Sequence, residues 1–184
     1  MIRPFFIPLL LGAASCAHRP ELPVYGQVPR FELVAQSGRK FDSQQLAGKI
    51  WVADFIYTTC TGPCPRMTSQ MRRIEQAATA SPDVRFVSFT VDPERDTPAA
   101  LAAYAQRFHA GHERWFFLTG DPKTLQMLDR ETFKLGNMDG SMNHSTRFVL
   151  IDRQGRIRGY YGTSDEDPAA RVVKDIKRLA GERS

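Results

Sequence analysis

Apolar residues recur along the chain with two periods, and they divide it into strands and helices. Residues 50–57 (Ile-Trp-Val-Ala-Asp-Phe-Ile-Tyr) form an almost unbroken apolar run, the pattern of a strand buried on both faces. Residues 84–91 form a second. Between them Met67, Met71, Ile74 and Ala78 recur at i, i+4, i+7 and i+11, which predicts a helix with one face against the sheet. Earlier, residues 31–35 and 40–41 flank Ser37-Gly38 and read as a small hairpin. Later strand-like runs lie at 115–118, 148–152 and 157–161, and Asp152-Arg-Gln-Gly155 supplies the turn of a final hairpin.

Three more helices begin alike. Thr97-Pro98, Asp121-Pro122 and Asp167-Pro168 each offer a side-chain acceptor at the N-cap, then a proline whose missing N–H is harmless in the first turn. Helically spaced apolar residues follow: Leu101, Ala105 and Phe108; Leu125 and Leu128; Val172, Ile176 and Leu179. There is no internal repeat and no low-complexity block. The order β-α-β-α-β-α-β-β-α predicts an α/β fold of three layers, a mixed central sheet flanked by helices. Strands joined through a helix should run parallel.

Composition changes this picture little. The 184 residues are 42% hydrophobic with twelve Phe and two Trp, enough for one domain with a buried core. The formal net charge is +5. No basic run interleaves with aromatic residues, so a nucleic-acid groove is not expected. Weak attraction to anionic lipid is compatible with this charge, but an ordinary domain of high pI is the simpler account.

The first residues read as an address. Arg3 precedes an apolar run at 5–11, then small residues lead into Cys16. That order matches an export signal, and the run is too short to span a bilayer as a helix. Ala13-Ala14-Ser15-Cys16 resembles the box cut by the bacterial lipoprotein peptidase, except that Ala13 stands where Leu is usual. The expected organisation is a lipoprotein signal peptide at 1–15, a tether at 16–29 beginning with a lipidated Cys16, and one domain at 30–184. Ordinary cleavage and soluble export is the alternative. An uncleaved anchor is disfavoured by the short run and by Pro4 and Pro8. Each reading puts the domain outside the cytoplasm, here in the bacterial envelope, where disulfides persist.

Cys60 and Cys64 stand in Thr-Thr-Cys-Thr-Gly-Pro-Cys-Pro, after the first buried strand and at the mouth of the first long helix. A helix N-terminus favours thiolate over thiol, and thiolates attack disulfides and bind soft metals. Thioredoxin-type redox enzymes keep two residues between their cysteines; this chain has three. Residues four apart in a first turn lie about 6 Å apart, close enough for one ion or for a disulfide. A pair of inert buried thiols is the remaining reading. Of the four histidines, His18 falls in the tether, and His109 and His112 read as surface residues around Gly111. His144 precedes the strand at 148–151, and taken alone it is better explained by a solvated or capping role than as a ligand. Met138 and Met142 lie near it in sequence and are read as packing. Asp92 precedes Pro93 and reads at least as well as a turn former as a site residue.

Four blocks resemble the Sco/SenC copper-binding proteins: residues 55–60 with Cys64-Pro65; Val-Asp-Pro-Glu-Arg-Asp-Thr-Pro at 91–98; Leu-Thr-Gly at 118–120; and His144-Ser145 followed by 148–155. They follow in order over about a hundred residues. The resemblance implies a thioredoxin-like fold in which Cys60, Cys64 and His144 bind a copper ion. It also implies delivery of copper to the copper-accepting subunit of cytochrome c oxidase, or reduction of cysteines there. Thr61 stands where Pro is frequent, and Asn143 where Asp is common, which removes a carboxylate that would support the imidazole. Two thiolates and an imidazole suit Cu(I), whereas zinc usually takes a fourth ligand.

The leading function is therefore a metallochaperone rather than an enzyme. The alternative is a thiol-disulfide oxidoreductase in which Cys60 attacks and Cys64 resolves. A peroxidase reading is weaker, because it gives His144 no role.

Overall fold

The computed structural model describes residues 21–110, 113–135 and 146–182. Eight strands among these residues form one sheet: β1 (Gly26–Gln27), β2 (Glu32–Ala35), β3 (Lys40–Asp42), β4 (Ile50–Ile56), β5 (Val84–Thr90), β6 (Trp115–Thr119), β7 (Arg147–Ile151) and β8 (Arg156–Gly162). Their spatial order is β1-β8-β7-β4-β5-β6-β2-β3. The chain crosses from β4 to β5 through α1 (Pro63–Ala77) and from β5 to β6 through α2 (Pro98–Arg107), and these three strands are parallel. β7 enters antiparallel to β4 and turns back into β8. The expected mixed sheet between helical layers is thus the arrangement found.

Every residue of β4 is buried, as a central strand requires when both faces are covered. On one face Ile50, Val52 and Ile56 meet Met67, Met71 and Ile74 of α1, Leu101 of α2, and Val172 and Ile176 of α4 (Pro168–Gly181). On the other, Trp51, Phe55 and Phe89 pack with Leu46, Leu125, Leu128 and Phe133. Three helices cover the first face; α3 (Pro122–Met127) and the short turn Ser43–Leu46 cover the second. The expected caps are present: Thr97 accepts from the Ala100 N–H at 3.2 Å, Asp121 from Thr124 at 2.9 Å, and Asp167 from Ala170 at 3.2 Å.

Two features depart from the sequence pattern. The helix begun by Asp121-Pro122 widens after Met127 into the π turn Leu128–Thr132. That turn seats the Phe133 ring about equally between Phe55 and Phe89, 5.8 Å from each centroid. The second departure concerns the segment assigned to the tether. Its described part belongs to the fold: Leu22 is buried, Gly26–Gln27 pairs with β8, and the Val28 N–H donates to the Gly155 carbonyl at 2.9 Å. The cause is the otherwise open edge of β8 together with Arg158. This guanidinium is 2% exposed; it meets Asp152 at 2.8 Å and donates to the Leu22 carbonyl at 2.7 Å.

Asp54 breaks the apolar run of β4. It is fully buried, the Ser88 hydroxyl donates to it at 2.6 Å, and the Trp115 indole N–H donates to Ser88 at 3.0 Å. Its Oδ2 has no hydrogen-bond partner among the described residues. Burial raises its pKa to about 7, against the opposing pull of the Ser88 bond. The unfolded chain releases this proton near pH ~4 and the folded one near 7, so the group's contribution to stability is full below the lower value and lost as pH rises to the upper one. Asp54→Asn should therefore be more stable than the wild type at pH 8, by up to about 4 kcal/mol, with the difference vanishing near pH 4. Urea unfolding of both proteins across that range measures it.

Candidate metal and thiol site

The cysteines lie where β4 leaves the sheet and α1 begins. The connecting loop is shaped by its own backbone, the Cys60 N–H donating to the Tyr57 carbonyl at 3.2 Å, and by a carboxylate from elsewhere. Asp96, fully buried, accepts from the Thr58 N–H at 3.1 Å, from the Thr58 hydroxyl at 2.5 Å and from the Thr90 hydroxyl at 2.5 Å. The loop after β5 is thereby stitched to the loop that carries Cys60. Asp92 also serves here: its carbonyl accepts from the N–H groups of Arg95 and Asp96, and its side chain pairs with Arg95 at 2.9 Å. That is the turn-forming role.

Cys60 and Cys64 are not joined by a disulfide and both are buried, Cys60 at 7% exposure and Cys64 at 0%. Their surroundings differ in kind. Burial alone would raise the pKa of Cys60. Hydrogen bonds from the Cys64 thiol, from the Cys64 and Gly62 N–H groups and from the Tyr57 hydroxyl outweigh it, and the pKa falls below the ordinary thiol value. The two backbone donors are unpaired N–H groups at the start of α1, the arrangement that stabilises anions at helix N-termini. The pKa of Cys64 moves the other way: burial pushes it up, and its bond to Cys60 and the nearby charges of Cys60 and Asp54 add to the effect. The outer sulfur of the pair thus ionises more readily than the inner one.

No third His, Cys, Asp or Glu joins the two sulfurs in a metal-sized cluster among the described residues. His144 lies outside them, as do Cys16, His18, His112, Met138, Met142 and Asn143. His109 is exposed just past the end of α2, far from the helix start beside Asp96. The topology does settle where the strand after His144 begins. Because β7 is antiparallel to β4, its first residues reach the end of the sheet from which the cysteine loop departs. The Thr163 N–H donates to the Thr146 carbonyl at 2.8 Å, and the Thr163 carbonyl accepts from Arg66 and Gln70 of α1, each at 3.4 Å. Thr146 therefore sits one residue pair away from the helix that carries Cys64.

Sequence reasoning passed over three residues that this site uses: Tyr57, Asp54 and Asp96. Tyr57 was counted in the strand and Asp54 in its apolar run. Asp96 lies inside the 91–98 block but carried no assigned role; its available signal was that this block accompanies the cysteine block.

Two outcomes follow from this geometry. At pH 7 Cys60 should react with iodoacetamide at least ~10-fold faster than Cys64, because only the thiolate reacts; single Cys→Ser variants analysed by mass spectrometry separate the two rates. Asp96→Ala should cost about 3 kcal/mol in chemical denaturation, since it leaves several buried donors unpaired, and should also raise the reactivity of Cys64 by loosening the loop.

The family model SCO1/SenC matches residues 23–181. Among solved structures, a SCO1/SenC family lipoprotein from Bacillus anthracis is 34% identical with a TM-score of 0.76, covering 84% of this chain and 95% of its own. BsSco, a Sco-family cytochrome c oxidase assembly protein with an identified disulfide switch, is 28% identical with a TM-score of 0.77, covering 89% and 100%. The copper-bound ScoI of Bradyrhizobium japonicum is 26% identical with a TM-score of 0.67, covering 82% and 98%. With the matched region covering all eight strands and α1 to α4, the chain belongs to the SCO1/SenC family.

Proposed function

We propose that this protein carries copper, as Cu(I), to the copper-accepting subunit of cytochrome c oxidase, holding it on Cys60, Cys64 and His144. The observation that carries the proposal is the pair of reduced, adjacent sulfurs at the start of α1. They form a soft donor set that favours Cu(I) over harder ions, and hydrogen bonds to Cys60 ease the loss of its proton. The donors present fit the cargo. His144 is supported by sequence distance: it precedes Thr146 by two residues, which span at most about 7 Å, and Thr146 pairs with Thr163 beside α1. The copper-bound relative and the oxidase-assembly relative support the cargo and the recipient class.

A second reading is favoured by the unequal thiols. The Cys60 thiolate attacks a partner disulfide, forming a mixed disulfide and releasing one partner thiolate, which takes a proton from water. Cys64, after losing its proton to solvent, then attacks the Cys60 sulfur. The intramolecular disulfide closes, the second partner thiolate leaves, and two electrons have passed to the partner. The two roles share the reduced pair as their starting state.

The domain is read as exported to the periplasmic side and held at the membrane by a lipid on Cys16, as the order of residues 1–16 suggests. The Bacillus anthracis relative is itself a lipoprotein.

Anaerobic Cu(I) titration of the reduced protein against a competing chelator tests the main reading. One equivalent should bind the wild type. Cys60→Ser and Cys64→Ser should abolish tight binding, and His144→Ala should weaken it by at least ~10-fold while leaving the Cys60–Cys64 disulfide reducible. Affinity should rise with pH, because the raised Cys64 thiol must lose its proton to become a ligand. Unchanged affinity in His144→Ala would remove the imidazole from the site, and retained disulfide exchange without copper binding would leave the redox reading alone.

A further inference from the structure

The molecule has two poles. β4 and β8 run in the same direction, each being antiparallel to β7. The helices that follow them, α1 and α4, pack on the same face and return toward the same end. Their first turns lie with Cys64 and Thr163 at one pole. Nine residues further along α1, about 14 Å, stands Arg73, and Lys177 lies nine residues past the first residue of α4.

Between the later turns of the two helices runs a groove of roughly 1290 Å³, bordered by Arg73, Lys174, Lys177 and Arg178, with Asp167 at its start. Arg73, Lys174 and Lys177 are exposed, and none of them is in an ion pair among the described residues. Their basic neighbours on the same helices differ: Arg72 faces Glu75, Arg171 faces Asp165 and Arg178 faces Asp175. Three basic side chains that make no ion pair among the described residues thus border one groove, against the single carboxylate of Asp167. The cysteine pole is mixed: Asp92 and Asp165 are paired there with Arg95 and Arg171, and exposed Glu94 and Glu166 stand with exposed Arg66 and Arg147.

The chain enters the fold at the basic pole. Leu22 packs in the same cluster as Ile176 and Leu179 near the end of α4, and Arg158, which holds the Leu22 carbonyl, also meets Glu182 at 3.4 Å. Val24 and Tyr25, next along, are the large apolar side chains exposed among the described residues, at 55% and 53%.

We propose that this pole, centred on Arg73, Lys174 and Lys177, rests on a bilayer surface bearing anionic phospholipid headgroups. The proposal builds on the reading of Cys16 as lipidated. From Cys16 to Glu21 the chain spans at most about 18 Å, so a lipid on Cys16 holds this pole, and no other, within that distance of the headgroups. Lys and Arg held close to an anionic surface are attracted to it across a screening length of about 8 Å. An acidic protein face would also suit the charges, but it would not account for their placement beside the tether. The cysteine pole is then turned away from the bilayer, toward the aqueous side of a membrane-bound partner.

The test uses the full chain carrying Cys16→Ser, so that lipidation plays no part in the readout, and vesicles of phosphatidylcholine with or without 30 mol% phosphatidylglycerol. In 20 mM salt the anionic lipid should raise the partition constant by about 100-fold, the contribution of three basic residues, and 0.5 M NaCl should erase the increment. Arg73→Glu/Lys174→Glu/Lys177→Glu should erase it too, while still binding one equivalent of Cu(I) as proof of folding. No increment with phosphatidylglycerol would overturn the proposal and leave the groove to an acidic protein. An increment unchanged in the triple variant would overturn it equally, by assigning the attraction to other residues. The lipid on Cys16 is measured separately, by the mass of the wild-type N-terminal peptide, so the anchor and the surface can fail independently.

Discussion

The Asp96 carboxylate is the constraint on which the site depends. It lies in the loop after β5, yet its acceptors are filled by Thr58 and Thr90, one from each of the two central parallel strands' exits. Parallel strands deliver their following loops to the same end of the sheet, and without a tie those loops would be independent. With it, the backbone between Ile56 and Pro63 has one geometry, and Cys60 returns close enough to the first turn of α1 to collect its N–H groups. Buried carboxylates are tolerated when donors fill their lone pairs, and here the donors are the elements that need positioning.

From that geometry comes the inequality between the cysteines. Both sulfurs are buried, so desolvation disfavours both thiolates. Only Cys60 has enough donors to offset it. Ionisation of the pair is therefore easier at the outer sulfur, the one better placed to meet either a soft cation or a disulfide. The spacing of three intervening residues places Cys64 inside the helix rather than before it, which keeps the inner sulfur shielded by Met67 and the core.

The same strand directions that gather the cysteines, the 91–98 block and the start of β7 at one end send the last turns of α1 and α4, and the entry of the chain, to the other. The cysteines and the point where the chain enters the fold are separated by the length of a helix. Arg158 keeps that separation fixed, since its buried guanidinium ties the entering segment to β8 and to the end of α4.

Much of this was legible in the chain itself. Hydrophobic period alone located β4, β5, α1 and the final hairpin, because a core-facing stripe must follow the repeat of its own backbone; and the Thr-Pro and Asp-Pro pairs located three helix starts, because capping is a local interaction. The cysteine pair was legible for the same reason: both residues lie within one loop and one helical turn. What the chain could not disclose were relations between distant segments. The binding of Asp96 to Thr58, the pinning of Leu22 and Pro23 by Arg158, the burial of Asp54 against Ser88 and the approach of Thr146 to Thr163 all join residues through the pairing order of strands. That order is decided by how whole faces bury against one another, a balance summed over the entire core, and no local window of residues contains it.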